Sequence, residues 1–166
     1  MEKEKEAVIK YQMSVLKLAC VTGFVAGVFG TLFGFFLHYF NFTEISPKVI
    51  LTPFSGKWTD GWLGFVITVL LYGLISIVIA LLYYMALRKQ KSLIWGALYG
   101  ALIFIIIFLV LYPIIPDVKW LFRYPFNTIA TELGFFLLYG LFIGYSISYE
   151  YEEQSNWSNV EQKQGQ

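Results

Sequence analysis

Residues 18–40 read LACVTGFVAGVFGTLFGFFLHYF, a run with no Asp, Glu, Lys or Arg. A bilayer core about 30 Å thick takes roughly 20 apolar residues of helix to cross. In hydrocarbon every backbone N–H and C=O must be satisfied within the protein, which a helix achieves by itself. The stretch therefore predicts a transmembrane helix. Residues 62–87, 93–112 and 128–149 repeat the pattern, the last with a single carboxylate, Glu132, and charged residues punctuate the four. The expected fold class is all-α, a four-helix transmembrane bundle.

The first stretch is too long for the 7–15 apolar residues of a secretory leader, and no A-x-A-like cleavage site follows it. It is read as a retained span. The whole chain has 166 residues, 58% of them hydrophobic and 14% charged, so four spans and their connections leave no length for a second domain. The expected organisation is an N-terminal cytoplasmic segment (1–17), a membrane domain (18–149) and a polar, disordered cytoplasmic tail (150–166). A helix is expected to begin ahead of the first span, because residues 2–22 contain no Gly or Pro and Glu6 precedes Lys10 by one turn. With a net charge of +1, nothing points to a nucleic-acid partner.

Basic residues favour the cytoplasmic side of a membrane, most strongly in short loops. Placing the N-terminus inside puts Lys3, Lys5, Lys10, Lys17, Arg88, Lys89, Lys91 and Lys163 in the cytoplasm, against Lys48, Lys57, Lys119 and Arg123 outside. Both termini are thus expected in the cytoplasm. The outer connections, 41–61 and 113–127, are apolar and broken by Pro47, Pro53, Pro113, Pro116 and Pro125, so neither is one continuous helix. They are read as caps lying on the bundle or in the interface. Asn41-Phe42-Thr43 and Asn156-Trp157-Ser158 fit the glycosylation triplet, a chance-prone pattern that carries no weight here.

Small residues recur at helical spacing. Gly23, Gly27, Gly30 and Gly34 share one face of the first span; Gly73, Ser76 and Ala80 share one in the second. Gly96 and Gly100 mark the third, and Gly140, Gly144 and Ser148 the fourth. Without a Cβ, glycine lets a neighbouring backbone approach, which is how many membrane helices associate. These nine glycines are expected to be packing positions within one chain, with the first stripe the best candidate for a homodimer contact. A Leu-Tyr-Gly string also recurs at 71–73, 98–100 and 138–140. It is read as convergent usage rather than duplication.

Ionisable residues inside a membrane are costly and are functional candidates by default. Two stand out, His38 near the outer end of the first span and Glu132 about one turn inside the fourth. Their similar depth makes a pair conceivable, and a carboxylate facing an imidazole favours the charged form of both. The competing reading gives them interfacial duty near helix ends. Signatures of catalysis are missing: one His and one Cys supply no metal set, and no H-E-x-x-H, G-x-S-x-G or P-loop string occurs. Cys20 is read as a small buried side chain. No enzyme activity, metal or cofactor is expected.

The strings FNFTEISP (40–47), DGWLG (60–64) and LLYGLFIGYSISYEY (137–151) resemble those of the YqhR-type conserved membrane proteins of spore-forming Gram-positive bacteria. The resemblance implies a four-span protein of the bacterial inner membrane and supplies no activity or site residues. The expected function is a non-catalytic, multi-pass component that binds or stabilises a lipid or a membrane-protein partner. The alternative is a small transporter or permeation unit using Glu132 and His38.

Overall fold

The computed structural model describes residues 15–54, 56, 58–90, 92–111 and 119–164. Among them the chain is all helical, with no strand. Helix α1 spans Val15–Tyr39, α2 Trp62–Leu87, α3 Leu93–Ile106 and α4 Phe126–Gln164. Short 3-10 turns occupy Pro47–Phe54 and Leu121–Arg123. Three helical stretches are long and apolar enough to cross a membrane: Val15–Tyr39, Trp62–Leu87 and Phe126–Ser155.

The third apolar stretch is built differently from its expectation as one helix over 93–112. Its α-helix has 14 residues, roughly 21 Å at 1.5 Å per residue, and then relaxes into a π-turn over Ile107–Leu111. Two causes lie in the sequence. Four of the five residues 103–107 are β-branched isoleucines, which crowd one another on a helix. Pro113 then brings no N–H for the carbonyl of Leu109. Ser92 starts the helix by accepting the Ile94 N–H on its side-chain oxygen.

The polar tail also differs. Instead of ending near Tyr149, α4 continues to Gln164, through most of the stretch expected to be disordered. Residues 150–164 contain no Gly or Pro and are rich in Glu and Gln, which favour helix. Gln154 Nε2 donates to Glu150 Oε1 one turn back, at 2.9 Å. The expected N-terminal helical lead lies, up to residue 14, outside the described residues.

Helix α1 packs most extensively against α2, and α3 against α4, while α1 also crosses α4. Small residues permit both close pairings. A Cβ added at Gly27 would stand 2.5 Å from the Tyr72 carbonyl oxygen, and one at Gly23 2.7 Å from Ala80 Cβ. In the other pair, Gly96 and Gly100 face Gly140 and Gly144 backbone to backbone, and a Cβ at Gly144 would lie 2.7 Å from Gly96 Cα. Gly73 lies under the Phe24 ring, Gly30 against Phe135 and Gly34 against Pro47. The long stripe of α1 is therefore occupied inside the chain, by α2 over one half and by Phe135 and Pro47 over the other. Val28, off the glycine spacing, also reaches Gly73.

The two pairs are stitched together by hydroxyls. Tyr99 Oη donates to the Ile79 carbonyl at 2.6 Å, Tyr83 Oη and Ser148 Oγ meet at 3.1 Å, and Tyr139 Oη meets Ser76 Oγ. Tyr83 is fully buried and packs edge-on against Tyr99. Two of the three Leu-Tyr-Gly strings thus share a physical role. The glycine closes a helix pair and the tyrosine before it bonds to the opposite pair. Leu70, Val78, Leu98 and Leu138 point outward and are exposed, giving an apolar outer surface.

Candidate functional site

The site starts with how α1 ends. The Asn41 N–H donates to the His38 carbonyl at 3.0 Å and the Phe42 N–H to the Leu37 carbonyl at 2.9 Å. Asn41 has φ 59°. Together these form a Schellman cap with Asn41 in the left-handed region, where Asn is among the few tolerated residues. The reversal turns the chain back toward the bundle and buries Thr43.

Thr43 is the hub. Its hydroxyl donates to Glu132 Oε1 at 2.6 Å and accepts the Ile45 N–H at 3.1 Å. Its carbonyl lies 3.2 Å from His38 Nδ1. Because a carbonyl only accepts, that geometry assigns the proton to Nδ1. Next door, the Glu44 N–H donates to Thr128 Oγ1 at 3.3 Å, and Thr128 is itself buried in the first turns of α4. Glu132 and His38 are thus brought to one place, yet through Thr43 rather than in contact with each other.

Beyond the hub the connection forms the 3-10 turn over Pro47–Phe54, with Leu51 buried beneath it. Lys48 Nζ reaches across to the Asp60 carbonyl at 2.7 Å. From the second connection, Lys119 pairs with Glu44 at 3.3 Å, and its N–H donates to Tyr124 Oη at 2.9 Å. Tyr124 is buried edge-on against Phe108. Between these parts lies an open cleft of about 680 Å³, lined by Glu44, Lys48, Thr52, Asp60, Lys119 and Tyr124 among others. Exposed aromatic side chains ring the same end, including Tyr39, Phe42, Phe54, Trp58, Trp62 and Phe126. At the opposite end Arg88 lies over the rings of Tyr84 and Tyr151, at 4.7 and 5.2 Å.

Among the described residues no group of His, Cys, Asp and Glu could hold a metal ion. Cys20 is half-buried in α1. Sequence reasoning singled out His38 and Glu132 but missed Thr43, Thr128 and Asn41. Thr43 and Asn41 fall in the triplet that resembles a glycosylation site. A bond between residues 89 apart in sequence leaves no local periodicity to find.

Comparison with known proteins places the chain in one group. The family described as conserved membrane protein YqhR matches residues 1–163. The uncharacterized protein YqhR of Bacillus subtilis (strain 168) is 42% identical over 145 residues, which cover 87% of this chain and 82% of that protein. No solved structure matches the chain. The match agrees with the strings at 40–47, 60–64 and 137–151, and with the apolar helices: the chain belongs to the YqhR family of conserved membrane proteins.

Proposed function

We propose that this protein is a four-span component of the bacterial cell membrane with both termini in the cytoplasm. It acts without catalysis, by binding another membrane component at its outer end. The carrying observation is the first connection. Bonds from Thr43 and Glu44 to α4 fold it into one wall of an open, charged cleft. A loop with no task beyond joining two helices needs neither a buried hub nor a cleft. The aromatic ring at that end supports a position at headgroup level, where such side chains collect. Arg88 and Lys89 lie at the other end, which supports the cytoplasmic assignment of the termini.

A photo-crosslinking side chain installed at Thr52 or Thr59, in cells, tests this reading. It should capture a discrete lipid or membrane protein, while the same probe at Lys89 captures neither. Equal labelling at all three positions refutes a binding end. A reporter fused after Gln166 should be active only in the cytoplasm.

One observation favours a second reading, a small permeation unit: His38 and Glu132 share Thr43. It requires solute or proton flux into liposomes that Glu132→Gln abolishes.

A further inference from the structure

We infer that the cleft takes the headgroup of a zwitterionic phospholipid bearing a primary ammonium, with its phosphate on Lys48 and its ammonium on Glu44 and Asp60. The inference rests on the binding reading above and names the ligand class.

Charge balance comes first. The described lining carries two lysines, Lys48 and Lys119, and two carboxylates, Glu44 and Asp60. A neutral lining of mixed sign gains little from a lone anion or cation and is complementary to a ligand that carries both charges. Lys48 supplies the anchor for the anion. Its ammonium bonds to a neutral carbonyl, that of Asp60, so its charge meets no bonded carboxylate among the described residues. A phosphate oxygen would bring there the opposite charge that the neutral carbonyl lacks. On the other side, Glu44 bonds to Lys119 in a pair whose two side chains are about half exposed. Exposed pairs of this kind contribute little, so Glu44 can exchange Lys119 for a ligand ammonium at small cost.

Size and position point to a lipid rather than a free solute. About 680 Å³ is in the range of small-molecule sites, roughly 300–1,000 Å³, and ample for a headgroup. The cleft is open rather than enclosed, so a bound headgroup keeps a path for its acyl chains. Phe54 and Trp58, both exposed, belong to the connection that forms its wall. They supply apolar surface for the first methylenes of those chains.

Native mass spectrometry of the full chain in detergent, with lipids of identical acyl chains, tests the proposal. Phosphatidylethanolamine should be retained roughly fivefold over phosphatidylcholine, whose ammonium cannot donate, and over phosphatidylglycerol, which has none. Lys48→Gln and Glu44→Gln should each erase that preference, Asp60→Asn should weaken it, and Lys89→Gln at the far end should leave it unchanged. All four side chains are partly or fully exposed, so elution as a single species checks that each variant folds. A preference for phosphatidylglycerol would overturn the zwitterion and leave the binding end intact. Displacement by glycerophosphoethanolamine at equal concentration would replace the lipid with a free solute and so overturn the source. No lipid preference, together with no crosslinked component at Thr52, would overturn both this inference and the reading beneath it.

Discussion

Replacing Thr43 with Val keeps the shape of the side chain and removes only its hydroxyl. Two bonds are lost, the 2.6 Å donation to Glu132 and the 3.1 Å acceptance from the Ile45 N–H. Hydrogen bonds to charged groups contribute about 1.5–3 kcal/mol and neutral ones about 1 kcal/mol, so the expected loss is about 3 kcal/mol. For 166 residues that corresponds to roughly 6–12 °C in the midpoint of thermal unfolding in detergent. Glu132→Gln retains an oxygen able to accept from Thr43 and should cost only about 1 kcal/mol. The double variant then unfolds close to Thr43→Val alone, because the partner left behind is now a neutral amide rather than an unpaired carboxylate. A coupling of about 1–2 kcal/mol is expected from the cycle. The His38–Glu132 cycle should give a smaller one, since the two side chains meet only through Thr43. Additive losses for Thr43→Val and Glu132→Gln would refute the hub, as would a loss below about 1 kcal/mol for Thr43→Val.

The cap on α1 makes Asn41→Gly neutral and Asn41→Val destabilising by about 1–2 kcal/mol, because a β-branched residue is strained in the left-handed region; thermal unfolding of the two variants reads the difference. Gly27→Leu and Gly140→Leu should abolish elution as a single folded species, since both glycines face backbone. Gly30→Leu should be milder, because it meets a phenyl ring that can turn. Gly134, with nothing near a Cβ, should accept Ala with unchanged or slightly raised stability. Tyr139→Phe should cost about 0.5–1.5 kcal/mol, with little further loss on adding Ser76→Ala, if their hydroxyls are bonded only to each other. Unfolding in detergent measures both.

What the sequence disclosed follows from what is local. The second apolar stretch, 62–87, has the bounds of its helix, because Trp62 follows a Gly-rich turn and Arg88 ends the run. The glycines at spacings of three and four mark faces, since helical geometry alone puts them on one side. Which neighbour each face meets was beyond reach. Gly27 meets α2 while Gly30, three residues on, meets an aromatic ring of α4, a division set by how the helices cross. The π-turn at 107–111 was signalled only weakly, by isoleucines that suit a membrane span as well as they crowd a helix. At the site, His38 and Glu132 drew notice because charge in an apolar segment is costly. Thr43 drew none, because a threonine in a connection is ordinary until a carboxylate from the far half of the chain arrives beside it. The polar tail was read from its lack of core-forming residues alone, while its Glu and Gln content also favours helix.

The seams divide the molecule along its sequence. Among the described residues, the contacts that close α1 against α2 lie before Gln90, and those that close α3 against α4 lie after Ser92. Each half is thus a helix pair whose close contacts are complete within its own stretch of chain. The tyrosine hydroxyls and the Thr43–Glu132 bond join the two halves. A nick in the short link at Lys91 would cut none of them. The fold is in this sense two unlike helix pairs written on one chain, and fragments split at the link are expected to reassemble when co-expressed.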